Sequence, residues 1–294
     1  MQTPAPTYHI FTDATADLSP HLLYDLPPLG IVPMPVEIGG MEYDYGSDSP
    51  LTIAGFYAAQ RQGQFASTSQ ISPATYCRCF EAALRQEQDV LYLCLTSGLS
   101  GTLNAARLAA EQLQQKYPQR RIICLDTLCA SVGLGLLVRE ALLQQQAGAE
   151  LTELAEWVEE RKYSICHWFT VDEFTHLHHG GRVSATAAAA GTILNIKPLL
   201  HVDMDGRLEV AAKLHGRRRA MAMQLDKMAE GWLPEMGQTV LIGHGDDLAA
   251  ALQLQDAVQS RFPEARPLIS EIGPVIGAHT GPNMLALIYW GCNR

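Results

Sequence analysis

The chain has 294 residues, 47% hydrophobic and 18% charged, with a formal net charge of −10 at pH 7. That length suits two domains better than one small core. The acidic balance argues against a protein that follows a nucleic-acid backbone, which needs a basic face.

The N-terminal "MQTPAPTYHIFTD" has no basic stretch followed by an apolar one, so no secretory signal is expected. "YHIFT" reads as a short strand ending at "DATAD". "GIVPMPVEIGGMEY" reads as two extended pieces around Gly39 and Gly40, with Pro33 and Pro35 favouring a sheet edge. In "SPATYCRCFEAALRQ" Ser72 is the expected N-cap and Pro73 the first helical residue. A strand from Val90 to Leu95, a helix from about Thr102, the strand "RIICLD" and the helix "ASVGLGLLVREALLQQQAG" follow, with Gly148 ending the last. This alternation predicts a mainly parallel sheet covered on both faces.

The second half changes character. "LTELAEWVEERK" is an amphipathic helix and "ICHWFTV" a strand. "SATAAAAGTILNIKPLLHV" is interrupted by Lys197 and Pro198 and makes a poor membrane span. "PLLHVDMDGRLEVAAKL" predicts a hairpin turning at Asp205 and Gly206. The one basic run, "GRRRAM", reads as a solvated helix start near Arg217. The strand "TVLIGH", a helix from Asp247 to Arg261 and the strands "PLISEI" and "MLALIYW" complete the chain. The expected fold is α/β in two domains: an α/β/α domain over residues 1–163 with a mainly parallel sheet, and an α/β domain over 164–294 with a mixed sheet and helices on one side. The seven cysteines are scattered and odd in number. They are expected to be free thiols in a reducing cytoplasm.

Four loops fall at the predicted carboxyl edge of the first sheet, where doubly wound folds bind ligands: "TDATADLS", "ASTSQISP", "TSGLSGT" and "DTLCAS". All are rich in hydroxyls and small side chains. The turn "TSGLSG" between a strand and a helix is expected to offer free backbone N–H groups to an anion. Neither "GxxxxGK[ST]" nor "GxGxxG" is present, and the loops carry no Lys or Arg, "ASTSQISP" and "TSGLSGT" included. A carboxylate therefore suits them better than a triphosphate. "GLSGT" lacks the last glycine of a hydrolase elbow, which disfavours a nucleophilic Ser100. The second half supplies cations: Arg182 in "HLHHGGRVS" and His279 in the small-residue loop "GAHTGPN". His176, His178 and His179 cannot all face one way, so no metal site is expected.

These motifs together resemble the DegV family of bacterial fatty-acid-binding proteins. "TDATADLS", "STSQISP", "TSGLSGTLNAA", "LDTLCASVGLG", "HLHHGGRVS", "ILNIKPLL", "DGRLE" and "IGPVIGAHTGP" occur in that order, almost end to end. The resemblance implies an α/β/α domain and a second α/β domain enclosing a tunnel for a long-chain fatty acid. It implies that Thr68 and Ser97 hold the carboxylate, with Arg182 and His279 near the head group. It further implies a non-catalytic lipid carrier without cofactor or metal, acting as the acyl-carrying subunit of a fatty-acid kinase whose separate ATP-binding subunit makes the acyl phosphate. The chain departs from the pattern at Ala14, Thr96, Asn283 and "KLHGRRRA". The competing readings are a self-sufficient acyl or phosphoryl hydrolase using Ser97 or Ser100, and a nucleotide-binding sensor.

Overall fold

The computed structural model describes residues 7–46, 48–183 and 196–294. The first lobe runs through β1 (Tyr8–Asp13), β2 (Leu29–Val32), β3 (Met34–Ile38), β4 (Met41–Tyr45), α1 (Ile53–Arg61) and β5 (Ala66–Thr68). It continues with α2 (Pro73–Leu84), β6 (Asp89–Cys94), α3 (Thr102–Lys116), β7 (Ile122–Asp126), α4 (Ser131–Gln146) and α5 (Leu151–Arg161). The second lobe holds β8 (Ile165–Thr170), α6 (Thr175–His179), β9 (Ile196–Val202), β10 (Leu208–His215) and α7 (Arg217–Gly231). It ends with β11 (Thr239–His244), α8 (Leu248–Arg261), β12 (Arg266–Glu271), α9 (Pro274–Thr280) and β13 (Leu285–Trp290).

The local chemistry of the helix ends explains several boundaries. Ser72 accepts a hydrogen bond from the Thr75 N–H and Pro73 opens α2. Glu150 and Glu153 form a reciprocal capping box on α5. Asp247 accepts from the Ala250 N–H at the start of α8. Gly148, at φ +97°, ends α4 in the left-handed region.

In the first lobe the order β2-β1-β6-β7 is parallel throughout. Helices α2 and α3 pair with each other and pack on this sheet, while α4 and α5 also lie against it. The second lobe has a six-stranded sheet ordered β10-β9-β8-β13-β11-β12. Only its β11–β12 pair is parallel. Its own helices α7 and α8 cover one face. The other face meets α4 of the first lobe, which contacts β8, β11 and β13. So this sheet is covered on both sides, and the expectation of helices on one side holds only for the lobe's own helices. Sandwiched between two sheets, α4 is apolar almost all round, as a fully buried helix must be.

A third, antiparallel sheet β4-β3-β5 packs on α9. The β3–β4 hairpin turns at Gly39 and Gly40, both with positive φ, as the sequence predicts. Pro35 is not on an edge strand: β3 is the central one, and Pro35 faces β5 where that strand ends, offering only its carbonyl, to Ser69. The "HTGP" histidine is likewise not in a loop but in the last turn of α9. Residues 184–195, which begin the apolar stretch weighed as a membrane span, lie outside the described residues. Among the described residues no helix is long and apolar enough to cross a membrane.

Candidate functional site

A cavity of about 230 Å³ lies where the three sheets and α4 converge. It is larger than the roughly 150 Å³ apolar cavity that stays dry and takes up benzene. Much of its wall is aliphatic or aromatic: Leu95 and Leu99 from the first lobe, Phe169, Ala286 and Ile288 from the second sheet, Leu177 from α6, and Val275 and Ile276 from α9. Val202 and Leu208 close it from the β9–β10 hairpin.

The polar groups within this wall are already engaged. The Ser131 hydroxyl donates to Asp17 Oδ2 at 2.6 Å, and the Thr280 hydroxyl donates to the Ile276 carbonyl at 3.1 Å. His167 has both ring nitrogens in use: Nε2 accepts from the Ala130 N–H at 3.3 Å, and Nδ1 lies 3.0 Å from the Ile165 carbonyl, to which it donates. Burial holds this imidazole well below its ordinary pKa, so it is neutral. These side chains therefore present carbon rather than free hydrogen-bonding atoms to the space.

One region of the lining is different. Thr68 ends β5 and Ser69 and Gln70 follow it, Ser100 precedes α3, Arg182 follows α6, and His279 comes from α9. Thr68 Oγ1 and His279 Nε2 are 2.9 Å apart. The pairing follows from the small sheet, which lays β5 against α9. The remaining ring nitrogen of His279 is buried without a partner among the described residues. Burial, then the Arg182 charge, then His179 pull His279 down to about 4. It is neutral at pH 7, which leaves Arg182 as the cation of this region. The guanidinium, half-buried, donates to the carbonyls of Gly180 and Leu99. It thereby joins the "GGR" segment of one lobe to the "TSGLSG" turn of the other. Gly180 is required there: a Cβ would lie 2.1 Å from His279 Nδ1.

Three of the four expected residues, Thr68, Arg182 and His279, thus line one cavity. Ser97 does not. Its side chain is exposed on the far side of the turn, and its N–H donates to Asp126 Oδ1 at 3.1 Å. Ser69 and Ser100 line the cavity instead. Several of the N–H groups expected to be free for an anion at this turn have protein partners. The Gly98 N–H goes to Thr96 Oγ1 at 3.1 Å, those of Leu99 and Ser100 go to the Thr96 carbonyl, and that of Thr102 goes to Ser100 Oγ at 3.3 Å. The anion this turn holds is the chain's own Asp126.

The loop "TDATADLS" does not reach this cavity. Asp13 is fully buried and accepts from the Thr15 N–H and hydroxyl, the Tyr92 hydroxyl and the Leu95 N–H. Asp17 accepts from Ser131 and from the Gly273 N–H at 2.8 Å, while its carbonyl accepts from Ser270. The loop is a structural joint between the lobes. Burial pushes the Asp17 carboxyl up to about 8, despite the two hydrogen bonds that favour its ionised form. Asp17, Tyr45 and Glu271 line a separate, more open cleft.

Among the described residues the hydrogen bonds of the two serines are those of the Ser97 N–H to Asp126, the Ser100 N–H to the Thr96 carbonyl and the Thr102 N–H to Ser100 Oγ. His176 and His179 lie against the Phe65 ring while His178 is exposed. Among the described residues no group of three or more His, Cys, Asp or Glu is placed to hold a metal ion.

The fold and cavity define a class: a two-lobed α/β protein enclosing an apolar space with one polar, cationic region. Comparison with known proteins gives the family. The family model described as "Uncharacterised protein, DegV family" matches residues 7–291. A DegV domain-containing protein of Clostridium perfringens is 39% identical over 284 residues, covering 96% of this chain and 97% of the relative. The chain belongs to the DegV family. A solved DegV protein of Thermus thermophilus, described by its fatty-acid binding, is 29% identical with a TM-score of 0.84, covering 97% of this chain and 99% of its own. The fatty acid kinase B3 protein of Streptococcus pneumoniae, solved with linoleic acid, has a TM-score of 0.86 with coverage of 97% and 99%. At 20% identity that is a likeness of fold.

Proposed function

We propose that the protein binds one unesterified long-chain fatty acid, its alkyl chain in the cavity and its carboxylate against Thr68, Ser100, Arg182 and His279. The observation that carries this reading is the division of the lining: polar atoms in the apolar wall are engaged with protein partners, while hydroxyls and one cation gather in a single region. At about 0.8 kcal/mol per CH₂ a long acyl chain contributes on the order of 10 kcal/mol before ordering costs. A shielded carboxylate must be paired, and Arg182 with the Thr68 hydroxyl supplies that pairing. The Thermus thermophilus relative supports the ligand class.

The test compares oleic acid with methyl oleate, which keeps the chain and loses the charge. The acid is expected to bind at least tenfold more tightly. Equal binding would overturn the head-group assignment, and steady turnover of an acyl ester would favour the hydrolase reading.

The protein has no catalytic role in this reading. It carries the acid and presents it to a separate ATP-binding kinase subunit, which makes the acyl phosphate. Arg182 suits that step, because a guanidinium meets phosphate oxygens in a bidentate way that a hydroxyl cannot reproduce. With a matched kinase subunit, Arg182→Ala should lower acyl-phosphate formation more than it lowers fatty-acid occupancy. A folded, loaded variant phosphorylated at the normal rate would remove Arg182 from that role.

A further inference from the structure

The "TSGLSG" turn is a place where the second lobe closely approaches the first. Thr96 Oγ1 donates to the Gly206 carbonyl at 3.0 Å. A Cβ on Gly98 would lie 2.7 Å from the carbonyl oxygens of Asp205 and Gly206, and one on Gly206 would lie 2.0 Å from Thr96 Oγ1. Gly206 also has φ +74°. Backbone thus meets backbone across the seam, with Thr96 making the side-chain hydrogen bond there.

What seats there is the tip of the β9–β10 hairpin, and the pair of residues just below the tip, Val202 and Leu208, lines the cavity. The tip is stiff within itself. The Asp203 carboxylate accepts from the Asp205 and Arg207 N–H groups, and the Asp203 N–H donates to the Arg207 carbonyl. It would move as a unit. The hairpin also lies at the sheet margin: β10 pairs only with β9, and its residues alternate between partly buried and exposed. This stiff tip on an edge ribbon is held by two side-chain donors: the Thr96 hydroxyl, and Arg294, whose guanidinium donates to the Asp203 carbonyl at 3.0 Å and to the Lys162 carbonyl of the first lobe.

We propose that the β9–β10 hairpin is a movable wall of the acyl cavity and that Thr96 is the positioning residue that seats it. Lifting the tip withdraws Val202 and Leu208 together and opens the cavity between the lobes. The Thr96 hydroxyl then sets how fast the ligand exchanges, without touching the ligand. This rests on the fatty-acid reading above.

The experiment measures release of oleic acid from the loaded full chain to phosphatidylcholine vesicles, beside amide hydrogen exchange of the same proteins. Thr96→Val keeps the shape and removes both the donor to the Gly206 carbonyl and the acceptor of the Gly98 N–H, and residues 98–101 are followed in the same exchange experiment to separate the two. It should speed release about three- to tenfold, the range expected for one neutral hydrogen bond. It should also raise amide exchange at residues 203–207 while leaving β11 and β13 unchanged. Thr96→Ser, which restores the hydroxyl, should return both measurements to within twofold of wild type. The proposal is overturned if the valine and serine variants release oleic acid alike, or if exchange rises across the whole second lobe. If the wild type holds no oleic acid, the fatty-acid reading fails, while exchange at residues 203–207 still decides whether Thr96 seats the hairpin.

Discussion

Two loops of the first lobe look alike in sequence and behave differently. Residues 12–19, "TDATADLS", and residues 66–73, "ASTSQISP", are both short, hydroxyl-rich and close to a strand. In the first, Asp13 and Asp17 consume the neighbouring donors, and the loop becomes a joint between β6, α4 and the second lobe. In the second, Glu37 accepts from the Ser67 hydroxyl on the exposed side, while Thr68 faces a neutral histidine and a cavity. Where the protein's own carboxylates take the donors of such a loop, none remain for an outside anion; residues 68–70 still line the cavity. The turn at residues 96–101 makes the same point, since Asp126 occupies the Ser97 N–H.

The comparison breaks most visibly at Asp13. Asp13→Ala strips the acceptor from four donors in a fully buried place. With each orphaned group costing about 1–3 kcal/mol, a loss of at least about 4 kcal/mol is expected in urea unfolding. A loss below about 1 kcal/mol would mean the loop is no joint. Thr68→Ala gives the opposite signature: fatty-acid affinity falls roughly ten- to a hundredfold, the worth of a hydrogen bond to a charged group, with little change in unfolding midpoint. Were stability to fall instead of affinity, the two loops would share one role.

A third variant uses pH to sharpen the contrast. The Asp17 carboxyl is raised from 3.8 to about 8 in the folded protein. The native state therefore holds the extra proton between those values. Its contribution is full below pH 3.8 and is lost as pH rises through about 8. His279 works in the other direction: lowered from 6.5 to about 4, it withdraws stability as pH falls through that window. Asp17→Asn should flatten the decline in stability between pH 5 and pH 8 and leave the acid side unchanged. An unaltered slope would show that Asp17 is already ionised in the joint. The smallest effect belongs to Ser97→Ala, which should leave fatty-acid affinity within twofold, whereas Ser100→Ala weakens it. A large effect at Ser97 would restore that residue to the site.

What the sequence disclosed follows this division between local and distant causes. Ser72 with Pro73, Gly148, and the Asp205–Gly206 turn are legible because capping and positive φ are settled within a few residues. The parallel first sheet is legible from alternation. The strand β5 and the helix α9 are not, because three and seven residues carry too little periodicity and their partners are distant in sequence: β5 packs on β3 and α9, and α9 also on α6. That is why His279 reads as a loop residue although it sits in a helix. Thr68, Arg182 and His279 were nameable through the family resemblance. That Ser100 and not Ser97 lines the cavity was not legible, since the Ser97 N–H bonds Asp126, 29 residues away. The role of Thr96 depends on a hairpin 110 residues further on.

The central claim is that the cavity holds a fatty acid by its free carboxylate. Mass spectrometry of the purified full chain, first native and then after denaturing extraction, tests it most directly. The account predicts one unesterified long-chain fatty acid per chain, lost in large part from Thr68→Ala and retained by Ser97→Ala. A phospholipid, an acyl-coenzyme A or a nucleotide in the extract, or equal retention by the two variants, would contradict it.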